Sequence, residues 1–314
     1  MSKAKILIVR RQPGLGDIIC CATVFRACTE RYGHDYEVHG CFGLRRWREL
    51  WEDQNIVHQF VSHELARASQ ESLDAQYEFV FDLDGPEWRR MTSTDFAPMN
   101  RTDVWLGSID CEPEDRCPHW RPTYRERSLS HSRIRDSFGL SDKQLTIIQP
   151  LPSNGMPWKR WPYMPELAAK LATDYRVLVL HDTPIAEYAN MPGVVFDCGL
   201  DLRQLGSVLS LADLVIAPDS SFVHFAAAVG VKCLSLYGGT GGAITTKNYG
   251  PNARYLQAPI DPNWQCAKTA PCGGYSKRNF WCYGDQHPNF LGECMKNLPV
   301  DVVYDAAVKY LEEK

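Results

Sequence analysis

Short β-rich runs alternate with helical patterns along most of this chain of 314 residues. In the N-terminal part the runs KILIV, YEVHGCF and YEFVFDLD are separated by the helical patterns of residues 17–32 and LRRWRELWED. Parallel strands need long crossover connections, which helices supply, and the helices then cover both faces of the sheet. The alternation therefore predicts an α/β fold with a parallel sheet, and YEFVFDLD is expected to be a buried strand.

The pattern restarts after residue 143 with the strand-like runs LTIIQP, RVLVLH, DLVIAPD and KCLSLYG. The helical segments MPELAAKLATDY, DLRQLGSVLSLA and SSFVHFAAAVG lie between them, and the length suits two domains. We expect Rossmann-like domains at 1–143 and 144–300, a Cys-rich loop at 262–296 and a C-terminal helix at 301–314. Residues 85–143 read as loops and short helices. Tandem α/β domains are expected to bind ligands in a shared cleft at the carboxyl ends of their strands.

Charge and hydropathy exclude several classes of protein. The formal net charge is -4, so no overall positive field attracts nucleic acid or an anionic membrane, although a local basic patch stays open. The sequence contains no run of eighteen apolar residues, and the first apolar run is too short for a signal peptide. We therefore expect no transmembrane segment and a cytoplasmic protein.

The stretch RRQPGLGDIICC leaves the first strand through glycines and enters a helix. Glycine permits a tight turn and close approach to a ligand, and a helix N-terminus favours an anion. Gly16 and Asp17 lie at this point. Asp17 can be a first-turn acid that only stabilises the helix, or a functional carboxylate, and the spacing leaves both open.

Three further motifs follow strands of the second domain. The loop QPLPSNGMPWKRWP carries a lysine and an arginine between tryptophans. These cations either suit a diphosphate or belong to a solvated basic loop in which they stack on the tryptophans. APDSSFVHFAAAVG opens a helix with hydroxyls that suit phosphate oxygens, and its histidine is either functional or structural. YGGTGGAITT suits a turn that approaches phosphate. The candidate donor-binding residues are Ser153, Lys159, Arg160, Asp182 after RVLVLH, Asp219, Ser220, Ser221, His224, Gly239 and Thr240, together with Gly16.

Four motifs occur in the order and spacing of bacterial glycosyltransferase family 9. They are KILIVRRQPGLGD, PWKRWP, DLVIAPDSSFVHFAAAVGV and SLYGGTG. The chain resembles these ADP-heptose:lipopolysaccharide heptosyltransferases from Lys5 to about Val303, least between residues 85 and 143. The resemblance implies a GT-B fold, two Rossmann-like domains facing each other across a cleft. It also implies inverting, metal-independent transfer of a heptose or related sugar from a nucleotide-diphosphate donor, most simply ADP-linked, to an acceptor hydroxyl.

The resemblance also implies roles for single residues. Asp17 matches the family's proposed general base, and Lys159 matches the lysine that contacts the donor diphosphate. Asp219, Ser220 and His224 match the segment that holds donor phosphate and sugar. Ser221 stands where the family usually has glycine, so its side chain would narrow the phosphate pocket. Physically, a carboxylate can take the proton of the attacking hydroxyl, and Lys159 with helix N-termini can stabilise the leaving diphosphate.

Four late cysteines, Cys266, Cys272, Cys282 and Cys294, lie in a Gly- and Pro-rich region. Their spacing is not the tight Cys-x-x-Cys of common zinc sites. One branch of the family, the protein heptosyltransferases, has a four-cysteine iron site there, and the resemblance extends this to a structural iron or zinc site. Free buried thiols or disulfides are the alternatives, and a reducing cytoplasm disfavours disulfides. No cofactor is expected for the chemistry itself.

The sequence does not specify the acceptor, which could be a glycan, a glycolipid or a protein. A second enzyme class, a GT-B-fold nucleotide-sugar epimerase, would process the donor without an acceptor. A non-catalytic sugar-nucleotide-binding protein is a third hypothesis, which the presence of Asp17 and Lys159 argues against. Oligomeric state is open, and a homo-oligomer is compatible with the sequence.

Overall fold

The computed structural model describes residues 3–11, 14–86, 100–152, 157–259 and 293–313. The chain divides into two compact units, Met1–Trp120 and Arg121–Lys314. This division lies before the domain boundary that the sequence suggests at residue 143. The reason is a helix between the two positions, Tyr124–Phe138, which packs within the second unit as described below.

The described part of the first unit contains one parallel sheet in the order β3-β2-β1-β4. Its strands are β1 (Ala4–Arg10), β2 (Tyr36–Phe42), β3 (Gln59–Phe60) and β4 (Phe79–Asp82). Its helices of at least five residues are α1 (Leu15–Tyr32), α2 (Arg45–Trp51), α3 (Gln70–Asp74) and α4 (Arg101–Ser108). The central strand β1 is buried from Ile6 to Val9, as its uninterrupted apolar run predicts.

The run YEFVFDLD forms β4, but the expectation of a buried strand is wrong. β4 is the edge strand of the described sheet, and Phe79 at its start is 45% exposed. The apolar run resembles that of a central strand because sequence alone does not specify a strand's place in the sheet.

The described part of the second unit contains a parallel sheet in the order β10-β9-β8-β5-β6-β7. Its strands are β5 (Leu145–Ile148), β6 (Arg176–His181), β7 (Val194–Cys198), β8 (Leu214–Pro218), β9 (Cys233–Tyr237) and β10 (Ala253–Gln257). Its helices are α5 (Tyr124–Phe138), α6 (Met164–Leu171), α7 (Leu202–Leu209), α8 (Ser221–Val229), α9 (Gly242–Thr245) and α10 (Val300–Glu312). The order places β8 and β5 at the centre, where strand order reverses.

Helix α6 and the C-terminal helix α10 cover one face of this sheet. Trp161 is fully buried there, and its indole N–H donates to the carbonyl of Leu298 at 3.0 Å. The ends of two helices form as the sequence predicts. The side chain of Asp201 accepts from the first-turn N–H groups of α7, and α8 ends at Gly230, whose φ of 78° suits glycine.

Helix α5 corrects the interpretation of residues 85–143 as loops and short helices. It spans fifteen residues and packs on α7, where the Ser130 and Ser207 hydroxyls are 2.9 Å apart. Arg203 pairs with Glu126 at 2.5 Å, and Arg133 pairs with Asp197 at 2.6 Å. Only Ser130 and Ile134 are buried on α5, so the segment lacks the apolar stripe by which helices are recognised.

Cysteines inside the apolar segments are buried thiols, as expected, with Cys198 only partly buried. Burial raises the pKa of Cys233 to about 12 and, together with nearby Cys111, that of Cys28 to about 12. Such thiols behave as small hydrophobic side chains, because the reactive thiolate is disfavoured. In the described ranges, no helix is long and apolar enough to cross a membrane.

Candidate functional site

The carboxyl ends of β9, β8 and β5 bring together residues from three of the sequence motifs. Asp219 directly follows β8, Thr240 follows β9, and Lys159 lies after β5 in a short 3-10 turn. These three strands are neighbours in the sheet, so their carboxyl ends meet at one edge. Ligands of open α/β sheets bind at this edge, where the strand order reverses.

Asp219 lies at the centre of this cluster and is 7% exposed. Its Oδ2 atom is 2.8 Å from the Lys159 ammonium and accepts a hydrogen bond from the Thr240 hydroxyl at 2.6 Å. Burial alone would raise the pKa of this carboxyl. The charge and hydrogen bond of Lys159, the Thr240 hydroxyl and nearby His224 outweigh it and lower the pKa below its ordinary value.

Ser220 is the N-cap residue of α8, but its hydroxyl does not cap the helix. It donates instead to the side-chain oxygen of Gln149, just after β5. The first-turn N–H groups of an α-helix have no partner within the helix, and they carry partial positive charge. The N-terminus of α8, with Ser221 as its first residue, therefore begins beside Asp219 and Lys159 at an end suited to an anion.

His224 lies one turn into α8 and is half-buried. Its Nδ1 atom forms a hydrogen bond with the hydroxyl of Tyr249, and the two rings meet edge to face at 5.7 Å. Tyr249 is buried, so this contact fixes the orientation of the imidazole. The histidine is thus both structurally held and close to Asp219.

The glycine loop after β9 is organised by Gln257, at the end of β10. The Gln257 amide donates to the carbonyls of Gly238 and Thr240, the latter at 3.2 Å, and its oxygen accepts from the N–H of Gly242 at 3.1 Å. Gly239 is buried in this loop. One amide therefore holds the turn that carries Thr240 to Asp219.

Two predicted donor residues are exposed, unlike the buried Asp219. Arg160 is half-exposed and lies 4.0 Å from Glu187. Asp182 follows β6, next to β5 in the sheet, and its exposed carboxylate is 2.9 Å from His181 Nδ1. Ser153 lies outside the described residues. The structure therefore groups Lys159, Asp219, Ser220, Ser221, His224, Gly239 and Thr240.

In the first unit, Asp17 lies in the first turn of α1, which also contains Gly16. Its Oδ2 atom accepts from the N–H of Gly14 at 3.3 Å, so Asp17 closes the helix start as a first-turn acid. The same oxygen is 3.2 Å from the Arg10 guanidinium, and the other carboxylate oxygen pairs with Arg101. The carboxylate is 17% exposed and lies between the two guanidinium groups.

Arg10 is a buried cation that links the ends of two strands. It ends β1, stacks on Trp105 at 5.1 Å and pairs with Asp84, which follows β4, at 2.9 Å. Sequence reasoning missed this role, although a charged residue at the end of a buried strand was a usable signal. Gln149 carried a similar signal, because it directly follows the buried strand β5. Arg101, Tyr249 and Gln257 had none, because their contacts join segments distant in sequence.

Of the four late cysteines, only Cys294 is among the described residues. It is buried, and its sulfur is 2.9 Å from the position that a Cβ on Gly238 would take. Cys266, Cys272 and Cys282 lie outside the described residues. Within the described ranges, no three His, Cys, Asp or Glu side chains are grouped as a metal site would require.

Comparison with solved structures defines the class of fold. ADP-heptose LPS heptosyltransferase II of E. coli has a TM-score of 0.68 at 14% identity, over 98% of each chain. The family 9 glycosyl transferase of Veillonella parvula has a TM-score of 0.70 at 15% identity, over 100% of this chain and 98% of that one. The chain therefore has the GT-B-type α/β fold of glycosyltransferases, as the sequence predicts.

The family model of glycosyltransferase family 9 (heptosyltransferase) matches residues 118–275, about half of the chain. The chain belongs to this family and is a glycosyltransferase. Among other solved structures, the iron-containing dodecameric glycosyltransferase TibC of enterotoxigenic E. coli has a TM-score of 0.67 at 13% identity, over 99% of this chain and 76% of that one. No curated protein matches the sequence significantly.

The buried ion pair leads to a pH prediction. Replacing Asp219 by Asn should lower the free energy of unfolding at pH 7 by about 3 kcal/mol, because the Lys159 ammonium, which is 13% exposed, loses its ion pair with this carboxylate. The folded-state pKa of Asp219 lies below 3.8, so its contribution is complete above that pH. The difference between wild type and variant should therefore be constant near neutral pH and shrink as the pH falls below 3.8. Urea unfolding at a series of pH values measures it.

The control for this experiment is Asp197→Asn, which removes the carboxylate of an ion pair with Arg133 that is more exposed than the pair of Asp219 and Lys159. That surface pair should contribute less than about 1 kcal/mol. A difference for Asp219→Asn no larger than that of the control, or one that grows in acid, would contradict a stabilising buried pair.

Proposed function

We propose that the protein transfers a heptose or related sugar from an ADP-linked donor to an acceptor hydroxyl, with inversion at the anomeric carbon. The observation that carries this proposal is the Lys159 ammonium, held by Asp219 beside the N-terminus of α8. A lysine next to a helix N-terminus is a setting for a diphosphate. In a family 9 chain the natural diphosphate is that of a nucleotide sugar.

Lys159 is proposed as the main cation on the donor diphosphate. An ammonium has three N–H donors, so its bond to Asp219 is compatible with a bond to a phosphate oxygen. Ser220 and Ser221 would add hydroxyl and backbone donors, and Thr240 with Gly239 would line the same edge. The further proposed donor contacts are Gly16, Ser153, Arg160, Asp182, Asp219 and His224.

The proposed reaction needs charge stabilisation and proton transfer. The acceptor oxygen attacks the anomeric carbon as the bond from that carbon to the diphosphate oxygen breaks, and the diphosphate leaves with the bonding electrons. Lys159 and the α8 N-terminus would stabilise this negative charge, which is why no metal ion is proposed for the chemistry. Asp17 is proposed to take the proton of the hydroxyl.

The setting of Asp17 is compatible with this role. A general base must be held in a fixed position, and Arg10 and Arg101 both pair with the Asp17 carboxylate. Arg10 is buried and also fixed by Asp84, so it would hold Asp17 in place. Arg101 is more exposed, at 32% of its side chain, and would be the partner nearer to solvent.

A nucleotide panel tests the donor proposal. ADP and ADP-heptose should raise the melting temperature, whereas UDP, GDP and CDP should not, because a ligand that binds only the folded state stabilises it by an amount that grows with the ratio of ligand concentration to Kd. Lys159→Ala should weaken ADP binding at least about tenfold, as expected when a charged hydrogen bond is lost. Lys170→Ala, which removes an exposed lysine paired with Asp301, is the matched control.

Two outcomes of this panel would count against the proposal in different ways. A shift with another nucleotide alone would change the donor but keep Lys159 as its cation. Equal ADP binding by wild type and Lys159→Ala would remove Lys159 from the diphosphate site.

Replacing Asp17 by Asn tests the base. The rate of ADP release in the presence of acceptor should fall about 10²- to 10⁴-fold, the usual contribution of a general base. Donor affinity should stay close to that of the wild type. Lipopolysaccharide core oligosaccharide and serine peptides are the acceptors to try first. Asp103→Asn, which alters another ion-paired carboxylate of the first unit, is the control and should keep its rate. Full activity of Asp17→Asn would exclude Asp17 as the base.

We also propose that Cys266, Cys272, Cys282 and Cys294 hold a structural iron or zinc ion. The support is their chemistry, because thiolates suit both metals, and the burial of Cys294, a setting compatible with a closed structural site. TibC, which is iron-containing, suggests iron. The ion would stabilise the Cys-rich loop and the backbone near Gly238, with no part in sugar transfer.

Replacing Cys294 by Ser should lower both metal content and melting temperature, because a ligand and its bound metal are lost together. Elemental analysis of the purified protein measures the first and calorimetry the second. Cys233→Ser removes another buried thiol and should leave metal content unchanged even where it lowers stability. Unchanged metal content in Cys294→Ser, or none in the wild type, would contradict the site.

The remaining proposals concern partners and compartment. The acceptor is proposed to be a glycan, glycolipid or protein hydroxyl of lipopolysaccharide or surface-protein biosynthesis. The cytoplasm is the proposed compartment. A homo-oligomer is a further proposal, for which TibC, described as dodecameric, is a precedent of similar fold.

A further inference from the structure

A short segment near the end of the chain contacts both loops that bring cations and hydroxyls to Asp219. The segment is the 3-10 turn Glu293–Asn297, which precedes α10. It packs on the 3-10 turn Pro157–Lys159, and it also packs on Gly238, which directly follows β9. One segment therefore contacts the turn that carries Lys159 and the loop that carries Thr240.

Two sulfur-containing side chains make the contact with Gly238. A Cβ atom on this glycine would lie 2.7 Å from Sδ of Met295 and 2.9 Å from Sγ of Cys294. Atoms do not approach a Cβ so closely in a packed interior, so these side chains fill the space beside Gly238. Gly238 does not have a positive φ. Space, and not backbone conformation, therefore requires glycine here.

The two side chains are themselves fixed in the core of the second unit. Met295 is 0% exposed and Cys294 is 3% exposed, and both belong to the core that contains Trp161 and Leu298. The hydrogen bond from the Trp161 indole N–H to the carbonyl of Leu298 joins the chain just beyond each of the two 3-10 turns. The turns are thus fastened to each other as well as packed together.

This packing affects short polar distances. The Asp219 carboxylate is 2.8 Å from the Lys159 ammonium and 2.6 Å from the Thr240 hydroxyl, and such bonds weaken quickly when they lengthen. Strand β5 ends at Ile148, well before Lys159, so the strand alone does not fix the position of the lysine. The position of Lys159 therefore depends on what its turn packs against.

We propose that Met295 is a positioning residue of the diphosphate site. It backs Gly238 directly and the Lys159 turn through the contact between the two 3-10 turns, and so keeps Lys159 and Thr240 at their distances from Asp219. A methionine suits this place because its thioether fills irregular gaps between backbone segments. The inference rests on the proposed function for its ligand, a nucleoside diphosphate, which Met295 itself does not touch.

Replacing Met295 by Ala tests this role in the full chain. The affinity for ADP, measured by titration calorimetry well below the melting temperature, should fall about two- to tenfold, the value of one weakened hydrogen bond. The control is Leu311→Ala, which truncates another side chain of the same core, 3% exposed. Leu311 accepts a bond from Gln144, just before β5, at the opposite edge of the sheet. The control should lower the melting temperature and leave the ADP affinity unchanged.

A rescue experiment separates positioning from general loosening of the core. Gly238→Ala should weaken ADP binding, because the added methyl group displaces Met295 and with it the loop. In the double variant the shortened side chain at position 295 leaves room for that methyl group. The double variant should therefore bind ADP more tightly than Gly238→Ala alone. Gly107→Ala, at a glycine of α4 with nothing within 4 Å of the added atom, is the control and should bind like the wild type.

Unchanged ADP affinity in Met295→Ala, or losses in the double variant that simply add, would overturn the inference. Failure of the wild type to bind ADP would instead contradict the proposed function, and the Asp219 ion pair then decides about Met295. Asp219→Asn should lower the free energy of unfolding less in the Met295→Ala background than in the wild type, because the pair with Lys159 is already weakened there. An equal loss in both backgrounds would overturn the positioning role.

Discussion

A buried negative charge, that of Asp219, determines how the carboxyl edge of the second sheet is built. A carboxylate that is 7% exposed persists as a charge only when cations and donors replace the water it has lost. Lys159 and Thr240 supply these, and each comes from the end of a neighbouring strand. The requirement to satisfy one carboxylate therefore joins three chain segments at the place where a parallel sheet presents its ligand site.

This dependence explains which parts of the site could be predicted from the sequence. The carboxyl ends of parallel strands lie at one edge of a sheet whatever the strand order, so the loops that carry Lys159, Asp219 and Thr240 were predictable at that edge. Gln257 was not, because it reaches the glycine loop from the edge strand β10, which carries no recognisable motif. Helix α5 was missed for a different reason, since only Ser130 and Ile134 are buried on it and the rest of its surface is largely polar and charged.

The structure also shows why the two interpretations of Asp17 do not compete. Its carboxylate accepts a hydrogen bond from the N–H of Gly14 at the start of α1. At the same time it forms ion pairs with Arg10 and Arg101. A carboxylate has about four lone-pair sites, so the structural bonds do not use its whole capacity. The helix-start contact holds the group in position, and a functional carboxylate needs the same positioning.

The two candidate charges are held in complementary ways. Asp17 is a carboxylate between arginines, whereas Lys159 is an ammonium beside a carboxylate. In each case the neighbours hold the group in position, but they also compete with any substrate for it. A donor diphosphate carries more negative charge than Asp219 and can also bind at the N-terminus of α8. It could therefore accept a hydrogen bond from the Lys159 ammonium while that ammonium keeps its bond to Asp219. The charge that forms on a departing diphosphate would strengthen that hydrogen bond. Lys159 would then stabilise the transition state more than the bound ground state.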